Sequence, residues 1–435
     1  MRKINISNFG GISKATIDID KKMLVYIGEQ ASGKSTICKM VYYCLKIRDY
    51  TLDFLMNKSN FMENHPNEFF NLYMKHLQKQ FMGCFGKTRH MRQFSIEYIF
   101  EDNKITIERN RDGFIRFLYS IELKNSIVSL LKAAFDMHFQ RASENITSVF
   151  NQIEALAIMK KYLLEHLQVL FCDNAEIIYI PAGRSLLATM SEQLDYSVSD
   201  MDLTMQEFIN LIRATKGKFG SKIPEMKETY LKTVKGQVDD EALKVAYDII
   251  RKILKADYAS ESDGEKIYYD DVHWVKLMYG SSGQQEVLWI LLLAYAFILE
   301  KRKTFLLIEE PEAHLFPIAQ KYTVELIALA KNVTNGSVII TTHSPYILTS
   351  LNILLYSQKV ESTRKGNPII QRNMRLKYSE FGAYVVDRSK EEDNTVDIMD
   401  EETNMIDTGY IDSVSTITND ELNRLIDKEM SNDLQ

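Results

Sequence analysis

The chain is short of several things at once. Its 435 residues include four cysteines, Cys38, Cys44, Cys84 and Cys172. None stands in a C-x-x-C pair, so neither a disulfide frame nor a structural zinc site is indicated, and reduced thiols in a cytoplasmic protein are expected. There is no excess of positive charge. Lys and Arg number 53 against 59 Asp and Glu, a net charge of −6. That gives no global footprint for nucleic acid, although a local basic face stays open. The longest apolar run, from Val287 to Leu299, has roughly thirteen residues, below the ~18 that a bilayer span needs, and reads as a buried helix. The start Met1-Arg2-Lys3-Ile4-Asn5 has no apolar signal core, so neither a secretory leader nor a membrane partner is expected. No repeat of about 20–50 residues is visible, and heptads are not sustained enough for a long coiled-coil arm. With 45% hydrophobic and 26% charged residues, what remains is a normally cored chain, long enough for two or three units.

The patterns that are present alternate between strand and helix. Residues 3–9 and 15–20 read as strands around a Phe9-Gly10-Gly11 turn, and residues 93–100 and 104–109 as a hairpin around Asp102-Asn103. Short apolar runs at Met23 to Ile27, Glu176 to Ile180, Phe305 to Ile308 and Ser337 to Thr341 read as buried strands. Helices are expected from Ser35 to Ile47, over much of 120–172 and 201–256, and near 317–331. In 120–172 the helical spacing is carried by Ile127, Leu130, Leu131, Ala134 and Phe135, then by Ile153, Leu156, Ile158, Tyr162, Leu163 and Leu167. From about residue 388 onward the chain is strongly acidic and is expected to be solvated or mobile.

Four segments carry chemistry. Gly28-Glu29-Gln30-Ala31-Ser32-Gly33-Lys34-Ser35-Thr36 fits the phosphate-binding pattern G-x-x-x-x-G-K-[ST], between a buried strand and a helix. The glycines let the backbone curl so that N–H groups from Ala31 to Thr36 face phosphate oxygens, and the helix adds its positive end. Lys34 supplies a point charge for the β/γ-phosphates of ATP, and the Ser35 hydroxyl is a ligand for Mg²⁺. Second, the strand Phe305-Leu306-Leu307-Ile308 delivers Glu309 and Glu310 at its end. Neighbouring side chains on a strand point apart, so the two need different roles: Glu309 to hold Mg²⁺ through water, Glu310 to orient or deprotonate an attacking water. Third, Tyr279-Gly280-Ser281-Ser282-Gly283-Gln284-Gln285-Glu286 opens the apolar helix, with small residues suited to a second anion-binding helix start or an ordinary cap. Fourth, Val338-Ile339-Ile340-Thr341-Thr342-His343-Ser344-Pro345 ends a buried strand in a histidine.

These residues resemble the OLD-like branch of the ABC-type ATPases, related to SMC-like heads. The marks are Ile308-Glu309-Glu310-Pro311-Glu312-Ala313-His314-Leu315-Phe316-Pro317, Thr341-Thr342-His343-Ser344-Pro345-Tyr346-Ile347-Leu348 and the strand Ile177-Ile178-Tyr179-Ile180-Pro181-Ala182-Gly183-Arg184-Ser185. The resemblance implies an α/β fold: an ABC-type P-loop head with a mixed sheet, an N-terminal antiparallel lobe, a helical insertion and a small C-terminal appendage. Boundaries are expected at 1–120, 121–270, 271–350 and 351–435. It also implies that Ser282 and Gly283, with Gln284 beside them, reach the γ-phosphate of ATP held by another subunit, and that His343 senses that phosphate. Arg184 is a candidate phosphate or interface contact, against a plain core-edge arginine.

The sequence departs from the family in three places: Gln284 replaces a second glycine, Glu309 replaces aspartate, and the loop glutamine is not identifiable. No Toprim-like acidic pattern follows the histidine motif. The resemblance therefore implies an ATPase subunit of an anti-phage system of the Septu or PARIS type, a homodimer or higher oligomer that controls a separate nuclease or effector. The alternatives are a nucleotide-gated scaffold with little turnover and an SMC-like DNA-repair ATPase; a transporter ATPase fits less well. DNA contact stays open through Lys75, Lys79, Lys87, Arg89, Arg92, Phe81 and Phe85, which equally suit a solvated helix face.

Overall fold

The computed structural model describes residues 2–62, 68–91, 93–109, 113–143, 149–189, 201–216, 222–234, 238–361, 368–409 and 419–424. The chain begins with strands β1 (Arg2–Phe9), β2 (Ile12–Asp18) and β3 (Met23–Ile27), then helices α1 (Lys34–Met56), α2 (Ser59–Met62) and α3 (Phe69–Phe85). Strands β4 (Phe94–Phe100), β5 (Asn103–Arg109) and β6 (Ile115–Tyr119) lead into helices α4 (Ile121–Ser143) and α5 (Val149–Leu170). After β7 (Glu176–Ile180) come α6 (Ser185–Thr189), α7 (Leu203–Lys216), α8 (Ile223–Thr233) and α9 (Asp240–Leu254). Strands β8 (Asp257–Glu261), β9 (Gly264–Tyr268) and β10 (Trp274–Lys276) precede α10 (Ser282–Glu300), β11 (Thr304–Glu309), α11 (Pro317–Val333), β12 (Ser337–Thr342) and α12 (Pro345–Glu361). The last strands are β13 (Phe381–Val386), β14 (Thr395–Asp397), β15 (Met399–Asp400) and β16 (Met405–Ile406).

The central sheet has six strands in the order β14-β13-β3-β12-β11-β7. From β13 to β7 all neighbours are parallel, and β14 alone is antiparallel. Its middle strands are apolar at nearly every position because both faces are covered. The two-residue period sends alternate side chains to two separate cores. Met23, Val25, Ile27, Ile178, Ile180, Leu306, Ile308, Val338 and Ile340 pack with the helices that follow residue 185. Leu24, Tyr26, Ile177, Tyr179, Phe305, Leu307 and Ile339 pack with α1, α3, α4 and α5 and with the antiparallel sheet β2-β1-β4-β5-β6. At about 25 cal/mol per Å² of apolar surface removed from water, each such side chain is a substantial stabilising term. Parallel pairing also has a positional consequence: the five strands β13, β3, β12, β11 and β7 all release their loops at one edge, where ligands bind in such sheets.

Several expectations need correction. Residues from 388 on are not simply a solvated tail: β14 pairs with β13, Asn394 and Ile406 are buried, and β13 itself lies beside β3. Residues 351–435 therefore supply two strands of the main sheet rather than only an appendage, because the apolar run Phe381–Val386 suits a strand buried on both faces. Residues 410–418 and 425–435 of that tail fall outside the described set. Within the stretch expected as mainly helical, β8 and β9 form a hairpin around Ser262-Asp263, and Gly264, which pairs with Glu261, takes a positive φ (121°). On α5 the buried side follows Met159, Leu163 and Leu167, at intervals of four, and leaves Ile153, Leu156 and Ile158 largely exposed. Helix α10 is longer than the apolar run suggested. At 19 residues it is long and apolar enough to cross a membrane, and 83% of its most apolar window is buried inside the protein.

Candidate functional site

The loop after β3 is shaped by backbone constraint. Gly28 and Gly33 have φ of 155° and 110°, and Ala31 takes 62°. A Cβ at Gly28 would sit 2.6 Å from the Val386 carbonyl oxygen, and one at Gly33 would sit 2.3 Å from Ile12 Cδ1. Both conformation and space thus demand glycine. Helix α1 starts directly afterwards with no side-chain cap and no acidic residue in its first turn. Its initial N–H groups and positive end are left for an anion. Lys34 is buried, and its ammonium donates to the carbonyls of Gly28 (2.9 Å) and Glu29 (2.8 Å). Burial lowers the Lys34 pKa, opposed by the negative charge of Glu310, Glu312 and Glu309. The strand register puts Glu309 level with Thr341 and Tyr26, at the end of the sheet from which the loop departs. Ser35 is exposed at the helix start, with Thr36 beside it.

Strand β11 lies one strand away, beyond β12, with Glu309 level with Thr341. Glu309 is 5% exposed; one oxygen accepts from the Ala182 N–H at 3.3 Å, and the other is buried with no hydrogen-bond partner among the described residues. Glu310 leaves the strand with a φ of 41°, a left-handed conformation that costs a non-glycine residue about 1–3 kcal/mol. Its N–H is still tied to the Thr341 carbonyl at 2.9 Å. The turn swings its half-exposed carboxylate toward His343, with Oε1 3.4 Å from Nε2. His343 stands at the end of β12, and its backbone N–H donates to Glu312 Oε1 at 2.8 Å. The Thr342 hydroxyl donates to the same oxygen at 2.6 Å. Burial raises the Glu312 pKa despite these bonds, with Glu310 adding repulsion, and its second oxygen is also buried without a partner among the described residues. Glu312 is a site residue that sequence reasoning gave no role; nothing in its spacing marked it.

A partnerless, buried carboxylate oxygen is costly unless a cation or donor meets it. Hard oxygen donors from Glu309 and the Ser35 hydroxyl fit Mg²⁺, which takes few protein ligands and completes its shell with water and phosphate.

The segment before α10 is built as a cap. Ser281, not Ser282, is the N-cap: its hydroxyl accepts from the Gln284 N–H, and the Gln284 side chain accepts from the Ser281 N–H, closing a capping box. Gln284 also donates to the Leu254 carbonyl at 2.8 Å. Its side chain is thus committed within the fold rather than presented to a nucleotide. Ser282 is exposed, and Gly283 packs so closely that a Cβ would lie 2.8 Å from the His314 carbonyl. No hydrogen bond or ion pair among the described residues joins 281–285 to the loop at 28–36.

Arg184 is corrected outright. It is fully buried, so it contacts neither phosphate nor a partner. Its guanidinium donates to the carbonyls of Pro181, Glu309, Glu310 and Glu286 at 2.7–3.0 Å and lies 3.5 Å from a Glu286 carboxylate oxygen. It therefore joins the loop after β7, the start of α10 and the acidic end of β11. In the basic stretch, Phe81 is buried against Phe9, Tyr43 and Phe94, and Phe85 packs on Phe9, which removes both rings from stacking on bases. Lys75 and Lys79 are exposed on α3, and Arg92 lies outside the described residues.

A phosphate-loop strand in the middle of a parallel sheet, with an acidic strand two places away and a histidine strand between them, defines an α/β P-loop ATPase head. The sequence model of a family described as "AAA ATPase domain" matches residues 1–348, and the chain belongs to that family. No curated protein matches. Among solved structures, the chain is similar to an SmcHead bound to the C-winged helix domain of ScpA, at 14% identity over 80% of this chain and 91% of that one, TM-score 0.33. It is similar at 12% identity, over 80% and 90%, to the SMC head domain from Thermotoga maritima, also with TM-score 0.33.

Proposed function

We infer that this protein binds ATP with Mg²⁺ in the 28–36 loop and hydrolyses it, in a site completed by a second copy of the chain. The observation that carries the reading is the convergence of Lys34, Glu309, Glu310 and His343 on one sheet edge from segments more than 200 residues apart in sequence. Bound Mg²⁺, held by Ser35 and Glu309, would neutralise phosphate charge. Backbone N–H groups of the loop and the start of α1 hold the phosphates, and Lys34 exchanges two carbonyl partners for them. Glu310, half-exposed and turned out of the strand, takes the proton from an attacking water, while His343 fixes the direction of that carboxylate. At the start of α10 the N–H groups of Ser282 and Gly283 have no hydrogen-bond partner among the described residues, and Ser282 is exposed. That supports a γ-phosphate contact across a head-to-head pair.

The finer assignment, control of a separate nuclease or effector in anti-phage defence, rests on the likeness of the 308–317 and 341–348 segments to the OLD-like branch. An adjacent reading frame encoding a nuclease would support it. The composite site is tested by mixing Lys34→Ala and Ser282→Arg proteins, each inactive alone. Once subunit exchange is established, recovery of turnover is expected, since mixed pairs keep one intact site; no recovery would refute the shared site.

A further inference from the structure

The C-terminal loop between β13 and β14 brings a cation to the nucleotide loop. Arg388 Nε donates to the Ser32 carbonyl at 3.2 Å. Its guanidinium also lies over the β1–β2 turn, where a Cβ on Gly11 would be 2.0 Å from Nη2 and 2.2 Å from Cζ. The same turn approaches the far end of the loop, with a Cβ on Gly10 falling 3.6 Å from Thr36 Cγ2. Gly11, Ser32 and Arg388 thus lie together beside the loop.

The Arg388 loop is fixed at its base. Asn394 is 1% exposed, and its side-chain oxygen accepts from Ser13 N–H (2.8 Å), the Ser13 hydroxyl (2.9 Å) and Lys14 N–H (3.2 Å). Its amide donates to the carbonyls of Asp387 and Lys390 at 3.2 and 2.8 Å. At the other end, the Val386 carbonyl abuts Gly28. Arg388 itself is exposed, and among the described residues its Nη groups have no hydrogen-bond or ion-pair partner. Glu391 and Glu392 are close in sequence, yet neither forms an ion pair with it.

We propose that Arg388 is a phosphate ligand of the nucleotide site, supplied by the C-terminal part of the chain and complementing Lys34. The proposal rests on the reading that residues 28–36 hold a nucleoside triphosphate. A guanidinium presents a planar fork of donors that matches two phosphate oxygens, and here it is held on a braced loop with that fork unused. An arginine that only staples the Ser32 carbonyl is the competing role, and Arg388→Gln separates the two, because glutamine keeps a donor but loses the charge.

The experiment measures binding of ATP and of inorganic tripolyphosphate to full-length wild type, Arg388→Gln and Gly11→Ala, after confirming equal unfolding temperatures. Arg388→Gln is expected to weaken both ligands about tenfold or more, the usual effect of losing a charged hydrogen bond. Gly11→Ala moves the guanidinium aside without removing it; it should weaken both ligands as well and add nothing to Arg388→Gln. Unchanged affinity in Arg388→Gln overturns the proposal, as does a loss for ATP alone, which would assign Arg388 to the nucleoside. Additive losses would overturn the placement over Gly11. If wild type binds neither ligand, the nucleotide reading itself fails.

Discussion

Arg184→Met removes a guanidinium from the fully buried junction of three loops while keeping an apolar stem of similar length. The variant loses donors to four carbonyls and leaves Glu286, 2% exposed, without its cation. Glu286 keeps the N–H groups of Arg184 and Ser185 and the Ser185 hydroxyl, at 3.0, 3.1 and 2.7 Å, so its desolvation is partly compensated. Breaking a buried pair from one side typically costs about 3–5 kcal/mol, and ~4 kcal/mol is expected here. That is a large fraction of the ~5–15 kcal/mol by which a domain is stable. The assay is urea unfolding, read as a midpoint shift at constant slope. Pairing the substitution with Glu286→Leu should give a double variant less destabilised than the sum of the singles by ~1 kcal/mol or more, because the orphaned charge is gone. A loss below ~1 kcal/mol in Arg184→Met, or strict additivity, would refute the hub.

Glu312 carries a pH signature. Burial raises its pKa above the ordinary 4.5, so the folded state binds the proton more tightly than the unfolded one. Its contribution is fully present below about 4.5 and lost as pH rises through the folded value, so Glu312→Gln should flatten the decline of stability above 4.5; parallel pH curves would count against it. Gly33→Ala meets a φ of 110° and the Ile12 side chain and should cost about 1–3 kcal/mol in urea unfolding together with nucleotide affinity; a wild-type midpoint would show that the loop tolerates another conformation.

Much of the frame was legible because it depends on local pattern. The runs at Met23 to Ile27 and Ser337 to Thr341 read as buried strands, and the strands they form are neighbours in the sheet. The loop at 28–36 could be assigned because its glycines answer a backbone requirement that short spacing records. Helix α5 shows the limit of periodicity: Ile153 and Leu163 fit one helical pattern, yet only the face touching α1 and α4 is buried. Charge misled similarly beyond residue 388, where a handful of apolar and amide groups, Asn394 above all, dock a segment whose composition suggests solvation.

The sequence by itself determined the phosphate loop, the acidic strand, the histidine strand and the apolar helix, since each is written in a few consecutive residues. Only the tertiary structure decided that β12 stands between β3 and β11, that Arg184 is core and that Arg388 reaches the loop. Strand order and long-range side-chain contacts depend on which surfaces exclude water together, and that is a property of the whole chain rather than of any short stretch.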